Sequence, residues 1–146
     1  MPRYFTLSEA ENALRGIETL VRKAVSVNTD LRGLRRELQE SRQRIAMLGG
    51  SRVNPGDIAR RRSAMDAAEK NLRELAEKIQ ETGCLVKDLD IGLIDFPAIF
   101  RGREVYLCWK LGEPEILFWH PVEEGFRGRK PIDDDFIGEQ SDTGSN

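Results

Sequence analysis

Cysteine, histidine and long apolar runs are all scarce in this 146-residue chain, and each scarcity excludes something. Cys84 and Cys108 are the only cysteines and His120 the only histidine, too few for a disulfide framework or a Cys/His metal cluster of motif spacing. Both cysteines sit in apolar, strand-like segments and read as buried thiols of a reducing compartment. No apolar run approaches the ~20 residues of a membrane span. The opening Met1-Pro2-Arg3-Tyr4-Phe5 lacks the apolar stretch of a signal peptide. We therefore expect a cytoplasmic protein without membrane insertion. Neither a GxGxxG turn nor a P-loop is present, and no Ser/His/Asp or Cys/His dyad can be argued, so no catalytic or cofactor-binding residue is assigned.

What is abundant is charge. Charged residues make up 33% and hydrophobic ones 39%, a polar balance that suits an elongated molecule with a thin core. The net charge of −2 is unevenly placed. Residues 1–82 carry 16 Lys and Arg against 12 Asp and Glu, whereas residues 83–146 carry 7 against 13. A basic front and an acidic back can attract one another, within one chain or between two.

The front is helical. Thr6-Leu7-Ser8-Glu9 has the form of a capping box, in which the Thr hydroxyl accepts from the amide three residues on and the Glu reaches back. Ala10, Ala13, Ile17, Leu20, Ala24, Val27, Leu31, Leu34, Leu38, Ser41, Ile45 and Leu48 then recur at three- and four-residue steps. Such spacing keeps one seam towards a partner helix, as in a coiled coil. Gly49-Gly50-Ser51 and Asn54-Pro55-Gly56 break the helix. A second helix begins near Asp57, carries Ile58, Met65, Ala68, Leu72, Leu75 and Ile79, and stops at Gly83. At ~1.5 Å per residue the first helix spans ~64 Å and the second ~39 Å. An antiparallel hairpin thus leaves about Thr6 to Val21 without a helical partner. Ala10, Ala13, Ile17, Leu20 and Ala24 form a candidate interface, to be covered by the β unit or by a second copy of the chain. Arg42, Arg44, Arg52, Arg60, Arg61 and Arg62 crowd the closed end of the hairpin. The helices are mixed in sign and have no aromatic residue to stack on a base, so these arginines read as a solvated face rather than a nucleic-acid site.

After Gly83 the pattern becomes strand-like. Cys84-Leu85-Val86, Leu93-Ile94-Asp95-Phe96, Glu104–Lys110 and Glu115–His120 are the candidate strands. A two-residue turn at Gly112-Glu113 or a four-residue loop gives one register, with Trp109 opposite Ile116, Leu107 opposite Phe118 and Val105 opposite His120. A turn at Arg101-Gly102 sets Phe96 opposite Leu107 and Ile94 opposite Trp109. One face then holds Ile94, Phe96, Val105, Leu107, Trp109, Ile116 and Phe118, and a slip of one residue would turn such a set outward.

These same segments carry a resemblance. Phe5-Thr6-Leu7, Lys87-Asp88-Leu89, Gly92-Leu93-Ile94-Asp95-Phe96-Pro97, Val105–Trp109, Leu111-Gly112-Glu113-Pro114, Phe118-Trp119-His120 and Gly125–Arg129 together make the chain resemble a family of small prokaryotic proteins, the domain of unknown function DUF2203. The resemblance covers about residues 5–132. It implies an α+β fold and no established activity, cofactor or catalytic residue. The expected architecture is one α+β domain over residues 1–132. It has helices at about 6–48 and 57–82, a small antiparallel β unit at about 84–120 packed on the helical hairpin, and a loop over 121–132. Residues 133–146 are expected to be an acidic, disordered tail.

Asp88, Asp90, Asp95, Glu113 and His120, with Cys108, invite a metal or hydrolytic reading. The expected register opposes it. Glu113 and His120 fall ~20 Å apart along a strand, and Asp95 points to the face away from His120. Asp88 and Asp95 are expected to hold turn amides beside Gly92, Cys108 to be an inert buried thiol opposite Leu117, and His120 to be a structural histidine. The repeated Phe-Arg-Gly-Arg at 100–103 and 126–129 gives a second site: Arg101, Arg103, Arg127 and Arg129 converging near His120 on an anion or an acidic partner. The leading reading is a structural or interaction protein, partnering itself or another protein through its helical rod. The alternative is an anion- or nucleotide-binding module at the arginine loops, and the third is a metal-dependent hydrolase.

Overall fold

The structure is a computed structural model that describes residues 3–49 and 55–144, with side chains to Glu139. Gly50, Ser51, Arg52 and Asn54, among the expected helix breakers and tip arginines, lie outside the described residues. Helix α1 spans Leu7–Leu48 and α2 spans Pro55–Gln80. A meander of five antiparallel strands follows in spatial order β1 to β5: Leu85–Asp88, Leu93–Phe100, Arg103–Lys110, Phe118–Pro121 and Lys130–Pro131. Two long helices packed together and one antiparallel sheet make this an α+β fold. No helix among the described residues is long and apolar enough to cross a membrane.

The capping box is present in both directions. Thr6 Oγ1 accepts from the Glu9 amide at 3.1 Å, and the Glu9 carboxylate accepts from the Thr6 amide at 3.0 Å. Two of the orphan amides of the first turn are thereby satisfied. Helix α1 then serves two masters. From Ala10 to Ala24 it lies on the sheet, and Ala10, Leu14, Ile17, Val21 and Ala24 are buried in one core with Ile94, Phe96, Ala98, Leu107 and Trp109. Ala13 and Leu20 pack at the edge of that core. The sheet therefore covers the stripe that helix α2 is too short to reach. The buried set is wider than a single seam because a flat sheet contacts more of a helix than another helix does.

Beyond that point α1 leaves the sheet and runs beside α2. Asn28 and Arg32 still reach Asp90 in the β1–β2 turn, at 2.7 and 3.2 Å. From there the bonds of α1 go to α2: Arg35 pairs with Glu69 at 3.1 Å, and Arg61 donates to Ser41. Gly92 sits in that β1–β2 turn at φ +67°, and a Cβ there would lie 2.6 Å from Leu111 Cβ. The close approach admits no side chain.

Strands β2 and β3 pair as the sequence leads one to expect, with Ile94 opposite Trp109 and Phe96 opposite Leu107. Strands β3 and β4 do not. Val105 pairs with Pro121, Tyr106 with His120, Leu107 with Trp119 and Cys108 with Phe118, one residue from the expected register. The cause lies in the 111–117 connection, which does not zip as a tight hairpin. Glu113 folds back so that its carboxylate accepts from the Lys110 amide at 2.7 Å, and its carbonyl accepts from Trp109 Nε1 at 3.0 Å. Pro114 has no amide to give, and the Ile116 amide goes to Glu11 of α1 at 2.8 Å. Ile116 is buried in the core but is not paired with Trp109. Trp119, not Phe118, takes the place on the core side of the sheet.

The acidic end of the chain is also ordered further than expected. The expectation for residues 133–146 is a disordered tail; among the described residues Asp134–Gly144 form helix α3. Asp133 accepts from the Phe136 amide at 2.8 Å. Phe136 is 1% exposed, with ring centroids 4.5 Å from Phe100 and 5.3 Å from Trp119. One aromatic residue in an acidic stretch is enough to dock it, because burying a Phe contributes about 1.5–3 kcal/mol.

Candidate functional site

The shifted β4 register turns a set of polar side chains inward on the sheet face opposite the helices. Side chains alternate along a strand, so Asp95 of β2, Cys108 of β3 and His120 of β4 share that face. Asp95 and Cys108 are direct cross-strand partners, and His120 is paired with Tyr106, two residues along β3. The three residues are 1%, 0% and 2% exposed. Their ligand-type atoms all lie within 4.8 Å of one another.

The hydrogen bonds fix the histidine. Nδ1 is 2.9 Å from the Pro121 carbonyl oxygen and Nε2 is 3.1 Å from Asp95 Oδ2. A carbonyl only accepts, so Nδ1 carries a proton and donates. Nε2 is then aimed at the carboxylate. Asp95 Oδ1 is buried without a hydrogen-bond partner. Burial pushes the Asp95 carboxyl above the usual carboxylate range, against the opposing pull of His120, Cys108 and Lys87. Burial likewise drives the Cys108 thiol far up, reinforced by the negative Asp95 beside it and opposed by Arg129. The Tyr106 ring stands edge-on to His120 at 5.5 Å, and Lys87 Nζ lies 4.8 Å over the Tyr106 ring.

Asp95 and His120 were expected on opposite faces, and Asp95 in a turn. Both expectations are corrected: Asp95 is mid-strand and bonded to His120. Asp88 does hold a turn amide, accepting from Asp90 N at 2.8 Å. Cys108 is buried as expected, opposite Phe118 rather than Leu117. The adjacency was hidden because Phe118 and Trp119 are both large and apolar. Either can serve as the core residue of β4, and alternation alone does not choose between them. The signal that could have chosen is Pro114, which weakens a tight hairpin at that turn.

The arginine loops are occupied by carboxylates of the same chain. Arg101, in the β2–β3 turn at φ +54°, bonds Glu139 of α3 through Nε at 2.8 Å and Nη2 at 3.2 Å. Arg129 bonds both oxygens of Glu113, at 2.8 and 2.6 Å, with its guanidinium 4.0 Å over the Phe118 ring. That pair is largely buried, with side chains 11% and 15% exposed. Arg103 and Arg127 are exposed. Of the residues proposed for the helix interface, Ala10, Ile17 and Ala24 are buried and Ala13 and Leu20 half-buried.

No curated protein and no solved structure matches the chain. The model of one family does, over residues 3–132, which takes in the helical hairpin and every strand. The chain belongs to DUF2203, a family of uncharacterized conserved proteins.

Proposed function

We propose that the protein is an assembly or accessory protein of the cytoplasm that associates with itself through the outer part of its helical rod. One observation carries the reading. Over α1 residues 33–48 and the facing part of α2, the coiled-coil-like seam is covered only in part: Leu38 is buried, but Leu34, Ile45, Ile58 and Met65 are all partly exposed. Near the tip Met47 is 84% and Leu48 56% exposed. Two such hairpins laid together form a four-helix arrangement that covers these side chains.

The two-fold arrangement is antiparallel. The tip carries Arg42, Arg44, Arg60 and Arg62, all exposed, while exposed Glu74, Glu77 and Asp88 alternate with Arg73, Lys78 and Lys87 where the arm meets the sheet. A two-fold axis across the arms brings each arginine-rich tip beside the partner's mixed-charge base, where its carboxylates can pair with the tip. Sixteen residues of arm are ~24 Å long and two helices ~20 Å wide, so each protomer contributes about 480 Å². That is at the low end for a specific interface, and it implies a micromolar dimer that weakens with salt. The two free cysteines, both buried, suit a reducing compartment. An anion- or nucleotide-binding role at the arginine loops has less support, because Arg101 and Arg129 already engage Glu139 and Glu113.

Sedimentation velocity from low to high micromolar concentration tests the reading. A concentration-dependent dimer that dissociates at high salt is expected. A monomer throughout would refute it.

A further inference from the structure

We propose that Asp95, Cys108 and His120 bind a divalent transition-metal cation of the Zn(II) class. The site does not depend on the self-association above, and four observations converge on it.

The first is placement. Three adjacent strands each contribute one donor, so the ligands are held by the sheet ladder and not by loops. The second is the histidine. Its Nδ1–H is spent on the Pro121 carbonyl, which leaves Nε2 directed at the Asp95 carboxylate. Metal-bound histidines characteristically hold the non-ligating ring nitrogen in this way, which fixes tautomer and ring orientation. In a neutral ring Nε2 is a lone pair 3.1 Å from a carboxylate oxygen. Two electron-rich atoms at that distance call for a proton or a cation between them.

The third is the unsatisfied acid. Asp95 is 1% exposed, and beyond the His120 ring and the weak thiol donor of Cys108 its carboxylate has no partner, Oδ1 being unsatisfied by hydrogen-bond geometry. A buried carboxylate without full compensation is costly, and buried charges are paired or coordinate metals. The fourth is the donor set itself. One nitrogen, one sulfur and one oxygen suit a borderline cation, whereas Mg(II) and Ca(II) take oxygen alone. In a tetrahedral zinc site the donors stand roughly 3.3–3.8 Å apart, as follows from bonds of about 2.0–2.3 Å. Here all three donor atoms lie within 4.8 Å of one another, about 1 Å more than that spacing.

The competing account is a metal-free Asp95–His120 pair sharing a proton, with Cys108 as packing. One experiment separates them. The full chain is unfolded, stripped with a chelator and refolded with Co(II) or Zn(II), which removes any question of access to a buried site. The proposal expects about one metal per chain by elemental analysis. It also expects the thiolate-to-cobalt charge-transfer band together with tetrahedral d–d bands, and a higher melting temperature in Zn(II) than in chelator. Cys108→Ser should abolish the charge-transfer band. It should lower Zn(II) affinity by more than the roughly 10- to 100-fold that loss of an outer partner costs. Cys84→Ser should leave both unchanged, since the Cys84 thiol bonds the Ile79 carbonyl at 3.2 Å and belongs to the helix-side core. A wild-type chain that refolds without bound metal and melts identically in Zn(II) and chelator would overturn the proposal. So would a band that survives Cys108→Ser.

Discussion

The two ends of helix α1 have similar composition and opposite surroundings. Ile17 and Ile45 are both isoleucines on the same seam, one 3% exposed in the core and the other partly exposed in the arm. The difference is what lies across from them. A five-stranded sheet with Phe96, Leu107 and Trp109 faces the first half, and a single helix faces the second. The near half supplies folding free energy. The far half holds apolar surface that a lone hairpin does not bury, and the proposed dimer uses it.

That contrast can be broken at several points. The largest effect belongs to the sheet core. Trp109→Ala should destabilise the chain by about 3–5 kcal/mol, since the ring is fully buried and its Nε1–H bonds the Glu113 carbonyl. Denaturant unfolding checks it, and the Glu113 turn should loosen as well. Ile17→Ala should cost about 2–5 kcal/mol in the same assay. Ile45→Ala should cost about 1 kcal/mol or less of monomer stability, its effect appearing instead as a weaker dimer. Equal losses at the two positions would erase the distinction between the halves.

Smaller effects test the ends. Thr6→Ala removes one side of the capping box and should cost about 1 kcal/mol. Glu9 makes the other side, and the Thr6 amide and hydroxyl it bonds hold its carboxyl below the ordinary 4.5. Because the folded value is depressed, the stabilisation is present above pH 4.5 and is lost as pH falls through the folded value. Glu9→Gln should therefore flatten the stability profile on the acid side only, which thermal melts across pH would detect. At the bottom of the scale, Arg101→Ala should leave the melting temperature unchanged, because its pairing with Glu139 is solvent-exposed.

Much of the fold was legible. The capping box, the three- and four-residue apolar steps and the β2–β3 pairing each rest on local signals that agree with the packing. The β3–β4 register was not legible, because it turns on a long-range bond from Glu11 to the Ile116 amide and on a choice between Phe118 and Trp119. The Asp95–Cys108–His120 cluster was lost with it, since a shift of one residue decides whether His120 meets Asp95 at all. The docking of Phe136 was likewise hidden, as one aromatic among acids has no periodicity to read.

The most direct test of the proposed dimer is a distance between spin labels on its arms. Met47→Cys places a label near the exposed tip, and Lys70→Cys places one near the base, while Cys84 and Cys108 are buried from the reagent. In the antiparallel dimer, tip-to-tip pairs should lie roughly 25 Å or more apart, the length of the overlapping arms. Mixed samples should show a short distance, below about 15 Å, between Met47→Cys of one chain and Lys70→Cys of the other, since helices pack at 8–10 Å. A short tip-to-tip distance, or no coupling between chains at concentrations where a micromolar dimer should be populated, would contradict the account.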